Sequence, residues 1–210
     1  MDKLYYVSKG KTPEDHLENI RRICDLGITL VQLRIKNLSD ALLLKTAYSA
    51  KTICDNYNAS LIINDNVAVT KTIKAYGVHL GKGDMSISEA RQQLHPSQHI
   101  GGTANTLEDC EYLMSQNIDY IGLGPYRYTT TKKKLSPILG LSGCQNIMKR
   151  LRSNTMSFPP IYAIGGLLKS DIHTILNIKG IHGVAASTLF SNSSVQTIKS
   201  LIYEFTTNSR

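Results

Sequence analysis

The chain has 210 residues, 41% of them hydrophobic and 19% charged, and its 24 basic against 16 acidic side chains give a formal charge of +8. That length fits a single α/β domain, expected to span residues 1–210, with room for a sizeable core. The cations point to anionic partners, but they are spread along the chain without a basic arm, which favours small phosphorylated molecules and argues against nucleic acid.

LYYV (4–7) reads as a first strand, followed by a helix with Thr12 at its N-cap and Pro13 in its first turn. ITLVQLRI (28–35) reads as a second strand, and Ser39 opens a long helix through Ala41, Leu44, Ala47 and Ala50. SLIIN (60–64) predicts a third strand with a short helix over 67–74, and GVHL (77–80) a fourth with a helix capped near Ser86 or Ser88. HIGG (99–102) leads into a helix opened by Thr106, with Glu108 and Asp109 in its first turn. DYIGLG (119–124) precedes a long polar loop and a helix near 141–152. PIYAIGG (160–166) precedes a helix capped near Ser170, and GVAAS (183–187) a helix over 195–205.

Eight strand–helix units in strict alternation predict a parallel sheet, closed as a (β/α)8 TIM barrel. The competing open doubly wound sheet wants a glycine fingerprint after the first strand, and VSKGKTP does not supply one. In a barrel, function sits at the carboxyl ends of the strands.

Polar residues do gather at those ends. Gln32, Arg34 and Lys36 alternate with Val31, Leu33 and Ile35, so an extended strand would put all three on one face, where two cations suit an anion. Asp65 and Asp84 follow neighbouring strands, and two carboxylates among cations suit one Mg²⁺ shared with a phosphorylated ligand. The plain alternative for each is a cap or a turn, and it fits Asp65 well because a helix follows it. Gly165 and Gly166 after the seventh strand, with Ser187 and Thr188 after the eighth, offer backbone N–H groups to a phosphate. Thr129, Thr131 and Lys132 lie in the longest loop, suited to closing over an anion. His79, flanked by Val78 and Leu80, reads as a packed core residue rather than a base. Cys24, Cys54, Cys110 and Cys144 form no CxxC pair, so buried, reduced thiols are expected, with no zinc or redox motif. No signal peptide is expected, and no apolar run approaches the ~20 residues that cross a bilayer, so the expected location is cytoplasmic.

VQLRIK, IINDN, GVHLGKGD, IGGTANT, DYIGLGPYRYTTTKK, PIYAIGG and GVAAS, in this order, resemble the thiamine phosphate synthase family over nearly the whole chain. The resemblance implies a (β/α)8 barrel that joins hydroxymethylpyrimidine diphosphate to hydroxyethylthiazole phosphate with Mg²⁺, giving thiamine phosphate and pyrophosphate. By the same resemblance, Gln32, Arg34, Lys36, Asn64 and Lys132 hold the diphosphate and pyrimidine, with Arg34, Lys36 and Lys132 assisting pyrophosphate departure. Thr103 contacts the pyrimidine side, Asp65 and Asp84 bind Mg²⁺, Thr129 and Thr131 bind the thiazole, and Gly166, Ser187 and Thr188 cradle its phosphate. The partners so implied are the two phosphorylated substrates, with no membrane, and a homo-oligomer is compatible. Lys82, Thr103 and Arg127-Tyr128 depart from the usual pattern, where glutamine, serine and FP or YP stand. The alternatives are a thiazole tautomerase of the same superfamily and a non-catalytic phosphate-ligand sensor. The tautomerase branch lacks the paired aspartates and carries a histidine where this chain has Pro125.

Overall fold

The computed structural model describes residues 1–128, 137–154 and 157–207. Eight parallel strands close into a barrel in sequence order, β1 (Leu4–Val7), β2 (Leu30–Leu33), β3 (Ser60–Asn64), β4 (Gly77–Leu80), β5 (His99–Ala104), β6 (Tyr120–Leu123), β7 (Ile161–Ile164) and β8 (Gly183–Ala186). Closure comes from β1 pairing with both neighbours, Tyr5 with Leu30 and Tyr5 with Ala185. Around the barrel run α1 (Pro13–Asp25), α2 (Asp40–Asn56), α3 (Val67–Thr72), α4 (Ile87–Gln93), α5 (Leu107–Ser115), α6 (Gly140–Asn154), α7 (Lys169–Leu176), α8 (Thr188–Ser191) and α9 (Val195–Thr207).

The caps follow local chemistry. Thr12, Ser86 and Thr106 each accept a bond from the N–H three residues on, and Asp15, Glu89 and Asp109 reciprocate. Two expectations shift. The helix expected to be capped near Ser170 starts at Lys169 instead, because the Asp171 carboxylate takes the Leu168 N–H at 2.9 Å. The four-residue α8 was not expected at all; it is too short to show a helical period.

Strand alternation sorts the apolar residues into two cores. Tyr6, Val31, Leu33, Leu61, Ile63, Val78 and Ile121 face outward into the layer shared with the helices. Tyr5, Leu30, Ile62, Tyr120, Tyr162 and Ala185 fill the barrel, with the Tyr5, Tyr120 and Tyr162 rings meeting edge to face. Gly101 makes room for them, since a Cβ there would sit 2.0 Å from Tyr120 Cζ. One pleat further up, two residues toward the carboxyl ends, four of the inward positions become polar, with Gln32, Asn64, Thr103 and Ser187. The same alternation that packs the barrel therefore delivers the site.

Candidate active site

The second strand is shorter than its pattern suggests. β2 stops at Leu33, because the Arg34 N–H goes to Ser8 Oγ at 3.0 Å and not into the ladder. Of the three residues expected on one strand face, only Gln32 lies in the strand, buried and turned into the barrel. Arg34 is half-buried beyond the strand end and Lys36 is exposed, with a positive-φ turn at Asn37 following.

The charged residues nevertheless converge. The Asp65 carboxyl lies within hydrogen-bonding reach of the Asp84 carboxyl and within the electrostatic influence of Lys36 and Arg34. Partial burial, then the neighbouring Asp84, push its pKa up from 3.8 to about 6. A helix cap does not explain Asp65, because Asn66 Oδ1 caps α3 through the Val69 N–H at 2.8 Å. Asp65 itself takes the left-handed conformation at φ 64°, uncommon for a residue with a side chain, and its N–H continues the ladder to His79 O at 2.9 Å. Asp84 does serve its loop, accepting the Gly81 N–H at 2.7 Å, while still meeting Asp65. Burial depresses the Arg34 guanidinium below the ordinary arginine value, and the Asp65 charge opposes that drop.

Two like charges held together without a cation are costly, so the pair fits a divalent ion. Among the described residues no three His, Cys, Asp or Glu side chains form a metal-binding group. An all-protein cage is therefore not what these residues offer. Two carboxylates with room for water and ligand oxygens suit Mg²⁺, which keeps much of its hydration and commonly shares phosphate oxygens.

On the opposite side, β7 and β8 end in backbone. Gly165 and Gly166 have φ of 98° and 67°, and a Cβ on Gly166 would lie 2.5 Å from Tyr128 O. Ser187 is half-buried at the start of α8, and Thr188 is exposed beside it. A cation that the sequence did not single out joins them. Lys9 Nζ donates to Thr188 Oγ1 at 3.4 Å from 179 positions away. The Lys9 backbone is pinned by its N–H to Tyr6 Oη at 3.2 Å and by Asn19 Nδ2 on its carbonyl at 2.9 Å.

The sequence profile described as Thiamine monophosphate synthase matches residues 4–190. The thiamine-phosphate synthase of Flavobacterium johnsoniae is 45% identical over 192 residues, covering 91% of this chain and 90% of that one. That of Bacteroides fragilis (strain ATCC 25285) is 40% identical over 187 residues, covering 89% and 91%. The chain belongs to the thiamine monophosphate synthase family. It is an enzyme of the transferase class. A thiamine phosphate pyrophosphorylase from Pyrococcus furiosus shares the fold, with a TM-score of 0.84, 24% identity and coverage of 99% and 97%.

The departures from the family pattern have local explanations. Lys82 pairs with Asp109 at 2.6 Å, anchoring its loop to α5. Arg127 holds the buried Asp171 through two bonds, Nε to Oδ2 at 2.8 Å and Nη2 to Oδ1 at 2.5 Å, while its N–H reaches Gly165 O at 2.9 Å. That pairing holds the Asp171 carboxyl below its ordinary value and ties the loop after β6 to the glycine turn after β7. Thr103 stands half-buried with its Oγ1 3.0 Å from His79 Nε2. His79 is buried, as its strand position predicts, and bonded on both ring nitrogens. Thr129, Thr131 and Lys132 lie outside the described residues.

Proposed function

We propose that the chain condenses 4-amino-2-methyl-5-hydroxymethylpyrimidine diphosphate with hydroxyethylthiazole phosphate at the barrel mouth, as one domain acting in the cytoplasm. The observation that carries this reading is the pairing of Asp65 with Asp84 beside Arg34 and Lys36. Asp65 and Asp84 would hold Mg²⁺, which would supply positive charge where the leaving group becomes negative.

Arg34, Lys36 and Asn64 meet the diphosphate from the β2 and β3 ends, and the family resemblance adds Lys132 to them. As the bond from the pyrimidine CH₂ to the diphosphate oxygen breaks, its electron pair leaves with pyrophosphate, and the cations stabilise that charge without reorganising. The aminopyrimidine ring stabilises the CH₂ cation. The thiazole nitrogen lone pair then forms the new C–N bond, so no general base is needed. That agrees with buried histidines already engaged, His79 with Tyr120 and Thr103 and His16 with Ser8. Gln32 and Thr103 orient the pyrimidine, Thr129 and Thr131 the thiazole, and Gly166, Ser187, Thr188 and Lys9 take the thiazole phosphate.

The test incubates purified protein with both substrates and Mg²⁺ and follows thiamine phosphate and pyrophosphate together. Equimolar appearance of the two is expected. Protein that binds the thiazole phosphate but forms neither product overturns the reading.

A further inference from the structure

Hydrogen bonds run unbroken across the barrel, from β2 to β5. Gln32 Nε2 donates to Tyr5 Oη at 2.7 Å, Tyr5 Oη meets Tyr120 Oη at 2.9 Å, Tyr120 Oη meets His79 Nδ1 at 3.1 Å, and His79 Nε2 meets Thr103 Oγ1 at 3.0 Å. Gln32, Tyr5, Tyr120 and His79 are all buried, at 3%, 2%, 0% and 8% exposure, so water is not available to replace a missing link. Burial pushes both phenols well above the ordinary tyrosine value, so each hydroxyl keeps its proton.

With one proton per hydroxyl, the order of the whole chain follows from its amide end. Tyr5 accepts from Gln32, so its own proton goes to Tyr120. Tyr120 accepts from Tyr5, so its proton goes to His79 Nδ1. His79 is then the neutral Nε2–H tautomer and donates to Thr103, whose hydroxyl proton is left to point into the site. At the other end the Gln32 amide is fixed with its carbonyl oxygen released from the chain as an acceptor. The two ends thus present an acceptor and a donor, which match the amino N–H and the ring nitrogen of an aminopyrimidine.

We propose that Tyr5, Tyr120 and His79 are positioning residues whose proton-ordered chain fixes Gln32 as acceptor and Thr103 as donor, and so sets selectivity for the aminopyrimidine substrate. This rests on the reading that Gln32 and Thr103 face that substrate. It adds three residues that touch neither substrate, and it assigns each a direction of donation. Such chains strengthen each member by polarising the next, and one mispaired link reverses or breaks the rest.

Two measurements test it. In ¹⁵N NMR of the intact wild-type protein without substrates, His79 is expected to show a protonated Nε2 and a bare, hydrogen-bonded Nδ1. A protonated Nδ1, or an imidazolium at neutral pH, overturns the proposed order whatever the enzyme catalyses. In steady-state assays, Tyr120→Phe and Tyr5→Phe are each expected to raise KM for the pyrimidine diphosphate by about tenfold, with KM for the thiazole phosphate within about twofold of wild type. Unchanged KM values, or equal rises in both, would show packing alone and overturn the proposal. Failure of the functional reading looks different, since wild-type protein would then make no thiamine phosphate.

Discussion

The two sides of the barrel mouth are built from opposite kinds of group. At the ends of β2, β3 and β4 the groups are charged side chains, Arg34, Lys36, Asp65 and Asp84, and burial with the closeness of the two carboxyls makes Asp65 hold its proton up to about pH 6. At the ends of β7 and β8 the groups are largely backbone, a Gly165-Gly166 turn at positive φ and the start of α8, with one lysine reaching across from the β1 end. Under the proposed function, the difference follows from what each anion does. A diphosphate that departs gains charge during the reaction, so strong, convergent charge is useful there. A phosphate that stays on the product only needs holding, and fixed N–H groups do that without tight capture.

If that division is right, damage on the two sides should read differently. The largest effect belongs to the carboxylate pair. Asp84→Ala is expected to lower kcat/KM by about a thousandfold while the protein melts as wild type, checked by calorimetry and product formation. Near-normal turnover would remove the metal assignment. Arg34→Met should cost about a hundredfold, mostly in kcat, since it acts on developing charge. A loss confined to KM would place Arg34 in ground-state binding only.

Acidity sharpens the same contrast. With the Asp65 pKa raised from 3.8 to about 6, the folded metal-free protein favours the protonated acid. Its contribution to stability is present below about pH 4 and lost as the pH rises through about 6. Mg²⁺ must displace that proton, so apparent Mg²⁺ affinity should rise as pH increases through about 6 and level off above it. Isothermal titration across that range checks the sign, and flat affinity contradicts it. KM for the thiazole phosphate should stay unmoved by the same change.

On the backbone side, Gly166→Ala forces a Cβ to within 2.5 Å of Tyr128 O at φ 67°. The expected result is about a tenfold rise in KM for the thiazole phosphate with the pyrimidine KM nearly unchanged. The smallest effect is that of Lys9→Met, about threefold in the same KM and weaker at high salt, because the lysine is exposed. Equal shifts in both substrates' KM values would blur the two sides into one.

Much of this was legible along the chain, and its gaps have physical causes. Strand–helix alternation marked all eight strands, the period of two put Gln32 on a polar face and the eighth strand end pointed to Ser187, whereas Asn64 and Thr103 entered through the family resemblance. Asp65 read equally well as a helix cap until Asn66 was seen in that role. The early end of β2 depends on Ser8 taking the Arg34 N–H, a contact between strands that no local pattern encodes. Lys9 looks like any loop lysine, because its neighbour Thr188 lies at the far end of the sequence. The tyrosines show their apolar alternation in the strand pattern but not that their hydroxyls meet inside the barrel.

The most direct test of the charged side is a thiochrome fluorescence assay of thiamine phosphate, with both substrates supplied to EDTA-treated protein before and after Mg²⁺ is restored. The expected result is no product until Mg²⁺ returns, then full turnover. Product formed at an equal rate in EDTA would contradict the pairing of Asp65 and Asp84 as the place where the leaving charge is met.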